Sequence, residues 1–199
     1  MSRLLLVRHG QSTWNAEERW QGHADPPLSD LGERQARAAA PSVVALDATA
    51  VVSSDLTRAW QTAELLAPPT LTPVVEPSVR ERDVGEWTGL TTTEIDEQFP
   101  DFRVEHRSPP GFEGDEPLLA RVLPALDAVI ERYGADAVVV VVTHGGVIRT
   151  VERHLGATPA GVPNLGGRWL HTSDGGLAIG ARELLIDPHD TAVTIGEEL

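Results

Sequence analysis

The chain reads as short, unbroken apolar runs separated by longer stretches in which apolar residues recur at helical spacing. The first run, Arg3–Val7, ends at Arg-His-Gly, the pattern of a buried strand leading into a loop. The polar stretch Gln11–Leu28 holds two tryptophans and reads as a loop. A helix is predicted from Ser29 or Asp30, with Asp30 and Glu33 as a capping pair and an alanine-rich body reaching Ala40. Pro41 should kink that helix or open a second one. Ala50–Ser53 predicts a second strand, followed by a helix capped by Ser54 or Asp55 that stops before Pro68-Pro69. Leu71–Val75 predicts a third strand. Thr91 and Glu94 stand at capping-box spacing before a helix ending at Pro100, and a periodic stretch runs from about Leu118 to Tyr133.

The strongest apolar run, Ala137–Gly146, is rich in valine and predicts a fully buried central strand, with a helix from Gly146 to about Leu155. In the last quarter, "GGLAIGARELLI" and "TAVTI" read as terminal strands. Helices alternating with buried strands predict a three-layer α/β/α sandwich around a mostly parallel sheet. No internal repeat or linker divides residues 1–199, which implies a single domain.

Composition narrows the chemistry. With no cysteine, thiolate catalysis, disulfides and Cys-ligated metal sites are excluded. The formal net charge of −14 argues against a nucleic-acid partner, which needs a basic face. No apolar stretch approaches the ~18–20 residues of a membrane span, and the N-terminal apolar run is too short for a secretory signal. The expected location is the cytoplasm. All 16 basic residues are arginine. Any phosphate must therefore be held by arginine, histidine or backbone donors.

Two apolar runs end alike, "LLLVRHG" and "VVVVTHGG". Open α/β sheets bind ligands beyond the carboxyl ends of their strands. If these runs are parallel neighbours, Arg8, His9 and His144 converge on one crevice. The helix after Gly145-Gly146 then offers free N–H groups to an anion. Arg58, in the first turn or so of the helix after Ala50–Ser53, faces the same edge. Glu81 lies in a loop with glycines at 85 and 89. Singly, each of these residues is explained as well by packing, a surface salt bridge or solvation.

Together they resemble the histidine phosphatase superfamily, in the branch that contains the cofactor-dependent phosphoglycerate mutases and their phosphatase relatives. The matching segments are "LLLVRHGQSTWN", "LSDLGERQA", "VVSSDLTRAWQTA", "RERDVGEWTGLT" and "VVVTHGGVIR", in the family's order. The resemblance implies a phosphoglycerate mutase-like fold and a nucleophilic His9 that becomes phosphohistidine. It implies that Arg8, Arg58 and His144 surround the phosphoryl group and that Glu81 gives a proton to the leaving alcohol. Asn15 matches a phosphate-contacting position, and Gln21-Gly22 matches a loop lining the site. The chemistry suits these residue types, since a phosphomonoester dianion spreads charge over oxygens that the guanidinium fork matches. His9 must be neutral and Glu81 protonated at the first step, so a bell-shaped dependence of rate on pH is expected.

A phosphatase is favoured over a mutase. The interval from Glu81 to His144 is short and lacks the lysines expected of a grip on a substrate carboxylate, although Arg82, Arg103 and Arg107 are available for an acidic substrate or for surface salt bridges. "PPGFEGDEPL" breaks the "PGGES" pattern of many phosphatase relatives, leaving Glu113 and Glu116 as alternatives for that loop's functional glutamate. Trp14, Trp20, Trp87 and Trp169 either wall a sugar or apolar leaving group or pack loops onto the sheet. "LGGRWLH" resembles actinobacterial phosphatases such as those acting on glucosyl-3-phosphoglycerate. The expected substrate is a small phosphorylated metabolite, such as a sugar phosphate or phosphoglycerate derivative. The expected enzyme is a monomer or homodimer that needs no cofactor. Two other classes compete. A metal hydrolase lacks a His-Glu-x-x-His or His-x-His motif here, and a non-catalytic binding module of the same fold would usually have lost His9, Glu81 or His144.

Overall fold

Alternate side chains of the apolar runs go to opposite faces of one sheet, as a period of two requires. The computed structural model describes residues 2–173 and 176–187. Among these, the strands are β1 (Arg3–Arg8), β2 (Ala50–Ser53), β3 (Val74–Val75), β4 (Val138–Thr143), β5 (Gly166–Ser173) and β6 (Gly176–Leu184). They lie in the order β3-β2-β4-β1-β5-β6. β3, β2, β4 and β1 pair parallel in that order, while β5 runs antiparallel to both β1 and β6.

The helices are α1 (Thr13–Ala16), α2 (Asp30–Ala45), α3 (Thr57–Leu66), α4 (Thr92–Gln98), α5 (Asp115–Tyr133) and α6 (Gly145–His154). Leu4, Leu6, Val139 and Val141 pack with Leu118, Val122 and Leu126 of α5 and Ile148 and Val151 of α6. Leu5, Val7, Val138, Val140 and Val142 pack on the other face with Ala39 and Val43 of α2 and Ala59, Ala63 and Leu66 of α3. This is an α/β/α sandwich. Each Leu or Val so buried contributes about 1.5–3 kcal/mol, and the two central strands bury such residues on both faces.

Several predicted boundaries shift. α2 is capped by the Ser29 side chain on the Gly32 N–H and continues through Pro41 to Ala45. Pro41 is exposed, and the buried stripe Ala36, Ala39 and Val43 holds the helix despite one lost hydrogen bond. α3 begins at Thr57, and neither Ser54 nor Asp55 is its cap. The Thr57 N–H instead donates to Asp25, a residue distant in sequence. The strand predicted over Leu71–Val75 contracts to Val74–Val75, α5 starts earlier at Asp115, and α1 lies within the expected loop Gln11–Leu28. The predicted Thr91–Glu94 capping box is present. Of the terminal segments, β6 falls within "GGLAIGARELLI", whereas "TAVTI" lies outside the described residues.

β5 was hidden by its glycines, which weaken a strand signal. They are there for close approach: a Cβ on Gly167 would stand 1.9 Å from the Leu6 carbonyl oxygen. Among the described residues no helix is long and apolar enough to cross a membrane.

Candidate active site

The register Arg8↔Thr143 sets the ends of β1 and β4 side by side, and the His9 N–H donates to the Thr143 carbonyl at 3.0 Å. The next residue of each strand is a histidine. Their rings stand 5.1 Å apart between centroids, edge to face at 62°. The two runs are parallel neighbours, the condition for that convergence, and the pairing brings both imidazoles to one edge of the sheet.

His9 is 2% exposed, and its Nδ1 lies 2.6 Å from the Gly10 carbonyl oxygen. A carbonyl only accepts, so the proton sits on Nδ1 and the lone pair is on Nε2. That nitrogen accepts from Arg58 Nε at 3.3 Å. Burial, followed by the charges of Arg58 and Arg8, holds the His9 imidazole well below its ordinary value, so the ring is neutral at neutral pH. The Asn164 side chain donates to the His9 carbonyl at 2.9 Å, and the Gly10 N–H donates to Thr62 of α3 at 3.0 Å, pinning this residue on both sides.

Arg58 is fully buried in the first turn of α3 and donates to the carbonyls of Ala24 and Gly22 at 2.8 and 2.9 Å. Arg8 donates to the Val162 carbonyl at 2.7 Å. Burial pushes both guanidinium groups down to about 10, which leaves them charged at neutral pH. His144 is also held well below its ordinary value, by burial first and Arg58 second. Its Nε2 is 3.0 Å from Ser54 Oγ, which accepts the Leu56 N–H. Its Nδ1 is buried and has no protein partner. A buried nitrogen left in this way costs free energy unless a ligand atom meets it.

Glu81 lies outside regular structure. Its carboxylate accepts the Arg82 N–H at 2.8 Å and the Gly146 N–H, in the first turn of α6, at 3.2 Å. A Cβ on Gly146 would stand 2.3 Å from Glu81 Oε1, so glycine here is what admits the carboxylate.

These residues open onto a cavity of about 550 Å³. Arg8, His9, Asn15, Gln21, Gly22, Arg58, Glu81 and Gly145 all line it. His144 touches His9 but is not itself part of the lining. Asn15 Oδ1 accepts the Ser12 N–H in a capping box, so only its amide N–H groups remain for a ligand. Gln21 accepts from the Ser12 hydroxyl at 2.7 Å. Of the tryptophans, Trp20 lines the cavity. Trp87 is buried among Ile95, Phe99 and Phe112, Trp14 packs over Gly89, and Trp169 belongs to the core opposite Leu5. Packing of loops and core therefore accounts for these three.

The expected basic residues separate in the same way. Arg107 and Arg82 line the cavity, whereas Arg103 is paired with Asp96 outside it. Arg82 is also bound to Asp115 at 2.5 Å and to Thr150 at 2.7 Å. Sequence reasoning missed Arg149 and Arg153, which line the cavity from α6. Their signal was present, because 145, 149 and 153 repeat at four-residue spacing and so share one helix face. Ser54, read as a helix cap, is instead the partner of His144. Among the described residues no group of three or more His, Asp or Glu side chains is arranged to hold a metal ion.

The chain is similar to several known proteins. A glucosyl-3-phosphoglycerate phosphatase of Mycolicibacterium vanbaalenii is 37% identical over 178 residues, covering 83% of this chain and 79% of the relative. A metal-independent phosphoserine phosphatase of Arabidopsis thaliana is 37% identical over 161 residues, 76% of this chain and 67% of that protein. A mycobacterial glucosyl-3-phosphoglycerate phosphatase, solved in complex with VO3, superposes with a TM-score of 0.82 at 30% identity, covering 92% of this chain and 99% of that one. The family model of the histidine phosphatase superfamily (branch 1) matches residues 4–172, and the chain belongs to that superfamily.

Proposed function

We propose that this protein is a phosphatase that hydrolyses phosphomonoesters of small metabolites through a phosphohistidine on His9, with Glu81 as general acid and then general base. The observation that carries the reading is the state of His9: a neutral ring whose Nε2 lone pair is directed at a buried guanidinium. In the first step Nε2 attacks phosphorus while the P–O bond to the alcohol breaks, and the leaving oxygen takes a proton from Glu81. In the second, the Glu81 carboxylate removes a proton from water, whose oxygen attacks phosphorus and releases His9 and inorganic phosphate. Arg8 and Arg58 are fixed opposite the charge that spreads over the transferring oxygens. His144, behind the lining, packs edge to face on the His9 ring and helps hold it in place. Asn15, Gln21, Gly22 and the Gly145 backbone complete the pocket.

The substrate class follows from what else lines the cavity. Beyond Arg8 and Arg58, α6 brings two more guanidinium groups to the cavity on successive turns, Arg149 and Arg153, the latter paired with Asp115. They suit an alcohol that carries a second anionic group such as a carboxylate. The names of the two curated relatives, which act on glucosyl-3-phosphoglycerate and phosphoserine, are in keeping with that. The reading is tested by turnover of p-nitrophenyl phosphate together with an alkaline quench that traps label from a radiolabelled ester. Turnover and a label lost on His9→Ala are expected. Undiminished hydrolysis by His9→Ala would reject it.

A further inference from the structure

Glu81 sits in a segment that no strand or helix holds, yet a proton donor must be placed to within a fraction of an ångström. Its carbonyl and those of its neighbours need partners, as any buried backbone group does. They find one in Arg121, on the second turn of α5. Arg121 donates to the carbonyls of Ser78 at 2.7 Å, Arg80 at 2.8 Å and Glu81 at 2.9 Å. Its remaining N–H groups hold Glu113, Nε to Oε1 at 2.8 Å and a terminal nitrogen to Oε2 at 2.7 Å. A guanidinium has five N–H groups, and all five are used here.

Glu113 extends the grip beyond Glu81. Its backbone N–H donates to the Asp83 carbonyl at 2.8 Å, and its Oε2 accepts the Asp83 N–H at 3.3 Å. Its own carbonyl accepts from Arg82. Residues 78–83 are thus tied at both ends to one ion pair, and Glu81 lies between the ties. Burial alone would raise the Glu113 carboxyl, but the hydrogen bonds and charge of Arg121 outweigh it and hold the group below its ordinary value. Glu113 stays charged, as the grip requires. Glu116, the other glutamate of that segment, is exposed.

We infer that Arg121 and Glu113 are positioning residues for the acid of the reaction: their ion pair substitutes for a strand ladder and sets Glu81 against the leaving oxygen. This rests on the reading of Glu81 as general acid. It makes a demand that a merely structural ion pair does not. A misplaced acid hurts esters of weakly acidic alcohols, which leave poorly without a proton, far more than esters of acidic phenols, which need little help.

The test compares kcat/KM for glycerol 3-phosphate and p-nitrophenyl phosphate in the wild type, Glu81→Gln, Arg121→Ala, Arg121→Lys and Glu113→Gln. Glu81→Gln should lose about 100-fold or more on the alkyl ester and under about tenfold on the aryl ester. Arg121→Ala should show the same bias, and Arg121→Lys should recover part of the alkyl activity. Glu113→Gln is nearly isosteric and covers the case in which Arg121→Ala does not fold. It sets an amide NH2 against an Arg121 N–H and should be biased the same way by about tenfold. Equal losses on both esters, or none, in the Arg121 and Glu113 variants would overturn the inference while a biased Glu81→Gln left the acid role standing. An unbiased Glu81→Gln would instead reject the acid role itself.

Discussion

The two walls of the cavity are built by different means. One wall comprises Arg8, His9 and Arg58, at the end of β1 and the start of α3, none more than 5% exposed. The sheet register and the packing beneath it fix their backbones. The facing wall comprises Glu81, Arg82, Arg107 and Asp115 with Arg149 and Arg153, from loops and helix faces that solvent reaches. Its order comes from charged side chains: Asp115 joins Arg82 to Arg153, and Arg121 holds the backbone of the Glu81 segment. The difference teaches where change is tolerated. A phosphoryl group is the same in every substrate, so its pocket belongs on rigid elements. The alcohol varies, and its contacts belong on parts that can be altered without disturbing the core.

The largest expected effect breaks the rigid wall. His9→Ala should lower kcat by at least about 10⁴-fold on every ester, with folding retained by circular dichroism. Next is the seam between the walls. Gly146→Ala should lower kcat/KM for alkyl esters about 10- to 100-fold, because its Cβ occupies the space of Glu81 Oε1. The facing wall should respond by selection. Arg149→Ala should raise KM for 3-phosphoglycerate about tenfold more than for glycerol 3-phosphate, which differs from it in the carboxylate. Equal rises would place Arg149 outside alcohol recognition.

The smallest effect is on stability. His9 and His144 both lie well below the ordinary value of 6.5 in the folded chain. Below that value the unfolded chain binds protons that the folded chain refuses, so stability is lost as pH falls from 6.5. Each histidine should contribute a slope that rises to about 1.4 kcal/mol per pH unit once the unfolded ring is fully protonated. Urea unfolding between pH 6.5 and 5 should show a shallower slope in His144→Gln. By the same shift the acid limb of kcat/KM should lie well below 6.5, since His9 keeps its lone pair there.

The rigid wall was also the legible one. Val138–Val142 announces a central strand by β-branching and length, and the histidine that follows it must emerge at the sheet edge. Arg58 was readable for a similar reason, one residue into a helix after a strand. The facing wall was harder to read because its contacts span long sequence separations without a local signature. Nothing near Arg121 foretells that it holds residues 78–81, and nothing in "GFEGDE" separates Glu113 from Glu116 before the loop is folded. α1 was invisible at four residues, too short for any periodicity to register. Arg149 and Arg153 were legible in principle, but their spacing gains meaning only once Gly145 is known to face the cavity.

The most direct test of the account asks which nitrogen of His9 carries the phosphoryl group. Nδ1 is bound to the Gly10 carbonyl, which leaves the ring's lone pair on Nε2, beside Arg58 Nε. Phosphorus–nitrogen correlation NMR of the enzyme trapped with label on His9 should therefore show phosphorylation at Nε2. A phosphoryl group on Nδ1, or on any residue other than His9, would contradict it.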